Sequence, residues 1–288
     1  MKIYQKKALN ADGLHAVVVT VSPLDVELVQ TEDQLLKAEI QGEWTDDPVE
    51  KIELDVHAEG DAAIIRAKMD EHRLLFGIMG ITWNRWVKVV VHVPARIYER
   101  VEIGGQSGDI SVRRIIAETL SLSSKSGDII VEDCEAKKEL IAASTSGDIR
   151  ITGLLAKEKV SARASSGDVV LRNLASDFLD AAARSGDVTV SDFRGTLAAE
   201  VSSGDIELEN DQLTGDLRAY AQSGDVSISF RKDPESFAIN YQGSSGEGSV
   251  HIEGILYKEK NEHRMLGQKG DGQYMIDVHT GSGDFVLN

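Results

Sequence analysis

The chain has 288 residues, 41% of them hydrophobic and 5% aromatic, with a formal net charge of -17. It is long enough for one or two domains with a sizeable core and too apolar to be disordered by composition. Its acidity excludes free nucleic acid as a partner and disfavours a bare anionic lipid surface, and its one cysteine, Cys134, excludes an internal disulfide or a cysteine-based metal cluster.

The start, Met1 to Lys7, leads into no apolar stretch of signal-peptide length, and no apolar run reaches the roughly 18 residues of a membrane span. The expectation is a cytoplasmic protein without a membrane span, with cell-envelope association as the other location. Residues 1–95 then read as an irregular β unit. Val17, Val19 and Val21, then Val26 and Leu28, alternate with more polar neighbours. Ile52, Leu54 and Val56 alternate likewise, as do Val87, Val89, Val91 and Val93. Turns are predicted at Asp12-Gly13, Ser22-Pro23 and Asp46-Asp47-Pro48. Trp44, Trp83 and Trp86 all fall in this stretch, which is expected to cap the remainder of the chain.

From residue 96 onward a tripeptide recurs. SGD opens at Ser107, Ser126, Ser146, Ser166, Ser185, Ser203, Ser223 and Ser282, and SGE at Ser245; successive openings are 19, 20, 20, 19, 18, 20, 22 and 37 residues apart. A period near twenty held this long marks a stacked array. After almost every Gly, apolar residues stand at the second and fourth positions, as in Ile110 and Val112, Ile149 and Ile151, or Val188 and Val190. Before each Ser, apolar or small residues stand six, four and two positions back, as in Leu140, Ala142 and Ser144. Both runs have the period-two alternation of strands with one buried face. A third inward point lies eight residues past the serine: Ile115, Cys134, Leu154, Leu174 and Phe193. Cys134 is therefore expected to be a buried, unreactive thiol.

The predicted fold is all-β: a single-stranded parallel β-solenoid, wound as a right-handed β-helix, over residues 96–288, with a polar insertion near 252–272. Gly supplies left-handed backbone angles at the corner, and Ser and Asp side chains bond nearby backbone amides. The last SGD lies close to Asn288. The final coil is thus expected to lack a cap, leaving a homo-oligomer through the C-terminal coil open.

The SGD-(Ile/Val)-x-(Val/Ile/Leu) repeat, behind an N-terminal β region with VVVTV and VKVVVHVP segments, resembles a bacterial family catalogued as "putative adhesins". It is similar to the solenoid part of the LiaX-like envelope-stress proteins of Gram-positive bacteria. The likeness covers residues 10–288. It implies a β-solenoid, a connection to the cell envelope, and an unidentified protein or envelope component as partner. An exported adhesin would carry a signal, an anchor or a wall-sorting tail, and the expectation from this sequence is a protein without them.

Candidate chemistry centres on one ladder. Asp109, Asp128, Asp148, Asp168, Asp187, Asp205 and Asp225 should line one edge, one layer apart. Unit charges about 5 Å apart repel by roughly 0.8 kcal/mol in water. Backbone N–H bonds within each carboxylate's own turn would offset this, and so would calcium or another hard cation along the column. Turn capping is the favoured reading, because calcium-loaded rolls use a denser nine-residue repeat with more glycines. No catalytic residue and no cofactor is assigned. The outward pair Glu207 and Glu209 reads as a solvated face, and the seven histidines lack metal spacing. Glu71-His72-Arg73-Leu74 and Glu262-His263-Arg264-Met265 read as two polar loops of similar composition. The function expected is a non-enzymatic structural or binding module. The alternatives are a carbohydrate-active β-helix enzyme, recognised by converging carboxylates on one flank, or a protein that assembles with cations.

Overall fold

In the computed structural model the described residues are 2–43, 52–69 and 86–288. The Asp46-Asp47-Pro48 turn, Trp44, Trp83 and the Glu71-His72-Arg73-Leu74 segment lie outside them. The described residues are all-β, without a helix.

Before the repeat come β1 (Lys2–Asn10), β2 (Ala16–Ser22), β3 (Asp25–Thr31), β4 (Leu35–Glu43), β5 (Ile52–Glu59), β6 (Ala62–Met69) and β7 (Trp86–Pro94). The repeat supplies β8 (Ile97–Gly105), β9 (Ile110–Arg113), β10 (Ile116–Ser124), β11 (Ile129–Glu132), β12 (Glu135–Ser146) and β13 (Ile149–Ala156). It continues with β14 (Lys159–Ser166), β15 (Val169–Ser185), β16 (Val188–Ser203), β17 (Ile206–Asn210), β18 (Leu217–Ser223) and β19 (Val226–Phe230). The last strands are β20 (Phe237–Ser245), β21 (Gly248–Val250), β22 (Leu256–Asn261), β23 (Arg264–Lys269), β24 (Tyr274–Ser282) and β25 (Phe285–Leu287).

Equivalent repeat positions lie directly over one another. Leu120 pairs with Val101 on one side and Leu140 on the other, in parallel, and Val131 pairs likewise with Val112 and Ile151. Strands ahead of the corner form one parallel column and strands behind it a second. The alternation read from sequence gives each column one buried face: Val101, Leu120, Leu140, Val160, Leu179 and Leu197 are all fully buried. The third inward point is also buried, with Ile115, Cys134, Leu154, Leu174 and Phe193 each 2–3% exposed. β15 and β16 are long because each runs from one corner to the next, and they pair in parallel along that length with one register shift between Ala175 and Phe178.

The two ends depart from chain order. At the N-terminal end, β2 pairs in parallel with β8, and β3 with β9, so residues 16–31 are a full layer of the stack. Outside this layer lie β6 and β7, then antiparallel β5 on β6, β4 on β7 and β1 on β4. At the other end, β24 pairs with β18 and β20, and β25 with β19 and β21. The layer of residues 274–287 is therefore interposed between layers 217–230 and 237–250. Beyond it, β23 pairs antiparallel with β20, and β22 with β23.

This order corrects the expectation of an uncapped final coil. Both edges of the C-terminal coil are already paired, so it presents no open edge for end-to-end pairing. The outermost strand there, β22, carries Lys258 and Lys260, as β1 carries Lys2, Lys6 and Lys7 at the other end. Lysine on an edge strand opposes pairing with another chain, because docking would desolvate its charge. Large side chains plug the C-terminal end: Phe237, Tyr241 and Phe285 are fully buried, Tyr241 stacks on Phe285 at 4.9 Å, and its hydroxyl meets Thr280 Oγ1 at 3.3 Å.

Candidate functional site

The SGD corner is where the repeat concentrates its chemistry, and the structure brings the predicted aspartates into one column. Asp109 Oδ1 accepts the backbone N–H of Asp128 at 2.9 Å, Asp128 Oδ1 that of Asp148, and Asp148 Oδ1 that of Asp168. Asp168, Asp187 and Asp205 continue the series onto Asp187, Asp205 and Asp225 at 2.8–2.9 Å. The donor therefore sits in the next layer, not in the carboxylate's own turn. Each aspartate ties two layers together, a role open only where the corners superpose.

The column is longer than the tripeptide suggests. Asp25 Oδ1 accepts from Asp109 N–H at 3.0 Å, so Ser22-Pro23-Leu24-Asp25 is the same corner written with other residues. At the far end Asp225 accepts from Asp284, and Asp284 from Glu247, which repeats the inverted layer order. Burial pushes the Asp25 carboxyl above its usual range; the Asp109 amide and Lys88 oppose that shift, while the Asp109 charge adds to it. Arg150 bridges two rungs, reaching Asp128 Oδ2 at 3.2 Å and Asp148 Oδ2 at 2.6 Å. A guanidinium between two carboxylates offsets their mutual repulsion.

A second column of corners escaped the sequence reading. Arg114, Asp133, Gly153, Asn173 and Asp192, each seven residues past the repeat serine, have φ between 52° and 66°. Asp, Asn and Gly tolerate this left-handed region best, and their recurrence at one phase was the available signal. A Cβ on Gly153 would lie 2.5 Å from Asp133 Oδ1. Behind this corner a short third edge carries Ile97, Ile116, Glu135, Leu155, Ala175 and Arg194 in parallel register. It ends where Asn210 substitutes a side chain for backbone: Asn210 Oδ1 accepts from Phe193 N–H at 3.2 Å and its Nδ2 donates to Phe193 O at 2.8 Å. Two shallow grooves border this edge and share Leu155, Ala175 and Arg194.

The flank ahead of the SGD corner was also not singled out in the sequence. Its outward positions carry Ala143, Ala182 and Ala198 together with the exposed Ile141, Phe178 and Tyr220. Asp180, largely buried, accepts from Ser161 Oγ at 2.9 Å and pairs with Arg163 at 2.7 Å. Behind the corner, Glu207 and Glu209 face outward and exposed, with Glu209 3.5 Å from Arg231. Among the described residues no three metal-competent side chains converge. Cys134 lies inside, its Sγ 3.4 Å from Ile115 N and 3.3 Å from Glu132 O, and burial pushes the thiol up to about 11.

These features define an all-β repeat protein whose corner aspartates join one layer to the next. The family model described as Toastrack DUF4097 matches residues 15–288, and the chain belongs to that family. No curated protein matches the sequence. Among solved structures, the chain is similar to a "putative adhesin" from Bacteroides fragilis at 13% identity, covering 100% of this chain and 97% of that one, with a TM-score of 0.46. It is similar to a "putative cell adhesion protein" from Clostridium sporogenes at 12% identity, covering 99% of each chain, with a TM-score of 0.26. It is also similar to a "putative lipid binding protein" from Parabacteroides distasonis at 12% identity, covering 99% of this chain and 96% of that one, with a TM-score of 0.35.

Proposed function

We propose that the protein is a non-enzymatic binding module, adhesin-like in character, built as a β-solenoid and acting at the cell envelope. The layer registers support the solenoid, and a right-handed winding follows from the strong bias of parallel crossovers toward that hand. One observation carries the functional reading: the corner aspartates, Asp180 and Cys134 are committed to structure. The aspartates bind amides of the next layer, Asp180 is closed off by Ser161 and Arg163, and Cys134 is buried. Surface is what remains to act with: an outward sheet face that mixes small, charged and aromatic side chains, and shallow grooves beside Leu155. Such a body suits broad contact with a partner better than turnover of a small substrate.

The test is fractionation of the native cell with the protein located by antibody, together with a reducing-sugar assay on a polysaccharide panel. Co-purification with the envelope and no sugar release support the proposal. Recovery wholly in the soluble fraction contradicts the envelope role, and sugar release above background contradicts the non-enzymatic one.

A further inference from the structure

The inverted order of the last layers has a conformational consequence. Layer 274–287 contacts two neighbours through one set of positions. Ile276 pairs with Leu217 and Ile239, Val278 with Ala219 and Tyr241, and Ser282 with Ser223 and Ser245. Layers 217–230 and 237–250 thus hold matching registers on either side of the insert. Their serines are 22 residues apart in sequence, close to the 18–20 that separates directly stacked layers elsewhere. Loop 231–236 is therefore long enough for these two layers to meet, so the slot can close once the insert has left.

On its N-terminal side the insert is joined to the chain by the turn Gly270-Asp271-Gly272-Gln273, where both glycines have positive φ, 62° and 72°. Of these residues Gly270, Asp271 and Gln273 are exposed. Every other tie to the body is repeatable by an identical segment: the two ladders, the Asp225–Asp284–Glu247 rungs, the amide of Met275 on Asp216 at 2.9 Å, and Phe285 stacked on Tyr241.

We infer that residues 274–288 form an exchangeable insert, and that the slot between layers 217–230 and 237–250 accepts this segment from a second copy of the chain. Such an exchange rebuilds the same hydrogen bonds and the same buried contacts across two molecules, and only the glycine turn changes shape. It involves neither β1 nor β22, so it is a different dimer from end-to-end stacking. The partner is selected by register: an extended apolar-alternating segment, the Ser-Gly-acid corner, and a second short apolar strand.

Tyr220 and His279 provide the test. They are direct register partners on β18 and β24, and both face outward, so replacing them spares the core. Full-length Tyr220→Cys and His279→Cys proteins are unfolded in urea, mixed in equal amounts and refolded together at high concentration. A short bismaleimide is then added, and covalent products are sized on a denaturing gel; the buried Cys134 stays unreacted in the folded state. The expected result is a two-chain product that requires both variants and is several-fold more abundant than when each is refolded alone before brief mixing. Absence of that product, with both variants recovering the native far-UV spectrum, overturns the inference. Equal yield from separately folded proteins overturns it too, because that would report two closed molecules docked side by side.

Discussion

Replacing Gly186 by Ala tests the corner most severely. A Cβ there would sit 2.3 Å from Gly167 O and 2.6 Å from Gly167 C, where ordinary contact begins at about 3.5 Å. Layers 167 and 186 must then separate locally by roughly 1 Å. That strains three bonds: Gly167 N–H to Ser185 O at 3.0 Å, Val169 N–H to Asp187 O at 2.9 Å, and Asp187 N–H to Asp168 Oδ1 at 2.9 Å. Each is worth about 0.5–1.5 kcal/mol. The Gly186 φ of 147° adds roughly 1–3 kcal/mol for a residue with a side chain. The expected loss is about 3–5 kcal/mol. Two further variants divide this total. Gly127→Ala carries the clash, 2.2 Å to Gly108 O, with φ outside the left-handed region, whereas Gly13→Ala carries a φ of 73° with no atom within 4 Å. Urea unfolding followed by far-UV circular dichroism should rank Gly186 as the costliest and Gly13 as the mildest, at about 1 kcal/mol. A Gly186→Ala protein within about 0.5 kcal/mol of wild type, at unchanged slope, would refute the close stacking of corners.

Three other outcomes are expected from the side chains that join the layers. Asp168→Asn keeps the oxygen that accepts from Asp187 N–H and relieves repulsion along the column, so its stability should equal or exceed that of wild type; Asp168→Ala orphans the amide and should cost about 1–2 kcal/mol in the same urea titration. Cys134 should resist a thiol reagent at about pH 8 in the folded protein and react fully in urea, because burial holds its thiol near 11. Burial alone would raise the Glu39 carboxyl, yet bonds from Lys6 and Gln41 hold it below its ordinary 4.5. A lowered folded-state pKa stabilises above the ordinary value and is lost as pH falls through the folded one. The stability gap between wild type and Glu39→Gln should therefore be widest near neutrality and should shrink as the pH falls below the ordinary 4.5, as read from urea midpoints across pH.

The middle of the fold was legible in the sequence because its signals are periodic. Ser-Gly-acid fixes the corner, alternation on either side fixes which face is buried, and Ile115 through Phe193 mark the third contact. The ends were not legible for the same physical reason that makes the array stable: every layer offers its neighbours the same register. Nothing in the residues around Ser282 distinguishes stacking on Ser245 from stacking on Ser223, and the structure uses both. The N-terminal layer was hidden because Pro23-Leu24 replaces the Ser-Gly of the corner, leaving Asp25 as its one recognisable member. The aspartate column was found, but its donors were placed in the wrong layer. A carboxylate's own turn is the near choice in sequence, and only stacked corners bring the amide of the next layer within 2.9 Å. The left-handed column from Arg114 to Asp192 was missed because Arg114 breaks an otherwise consistent run of Asp, Gly and Asn.

Layer order is best measured by spin-label distances from Ser123. Tyr220, His279 and Gln242 occupy the same outward row five, six and seven layers away, through the register Ser123, Ala143, Arg163, Ala182, Glu200. At about 4.8 Å per layer, the three distances should be near 24, 29 and 34 Å. A Gln242 label closer to Ser123 than the His279 label would show that the layers stack in chain order. Distances that fail to rise with layer number would show that the corners do not superpose at all.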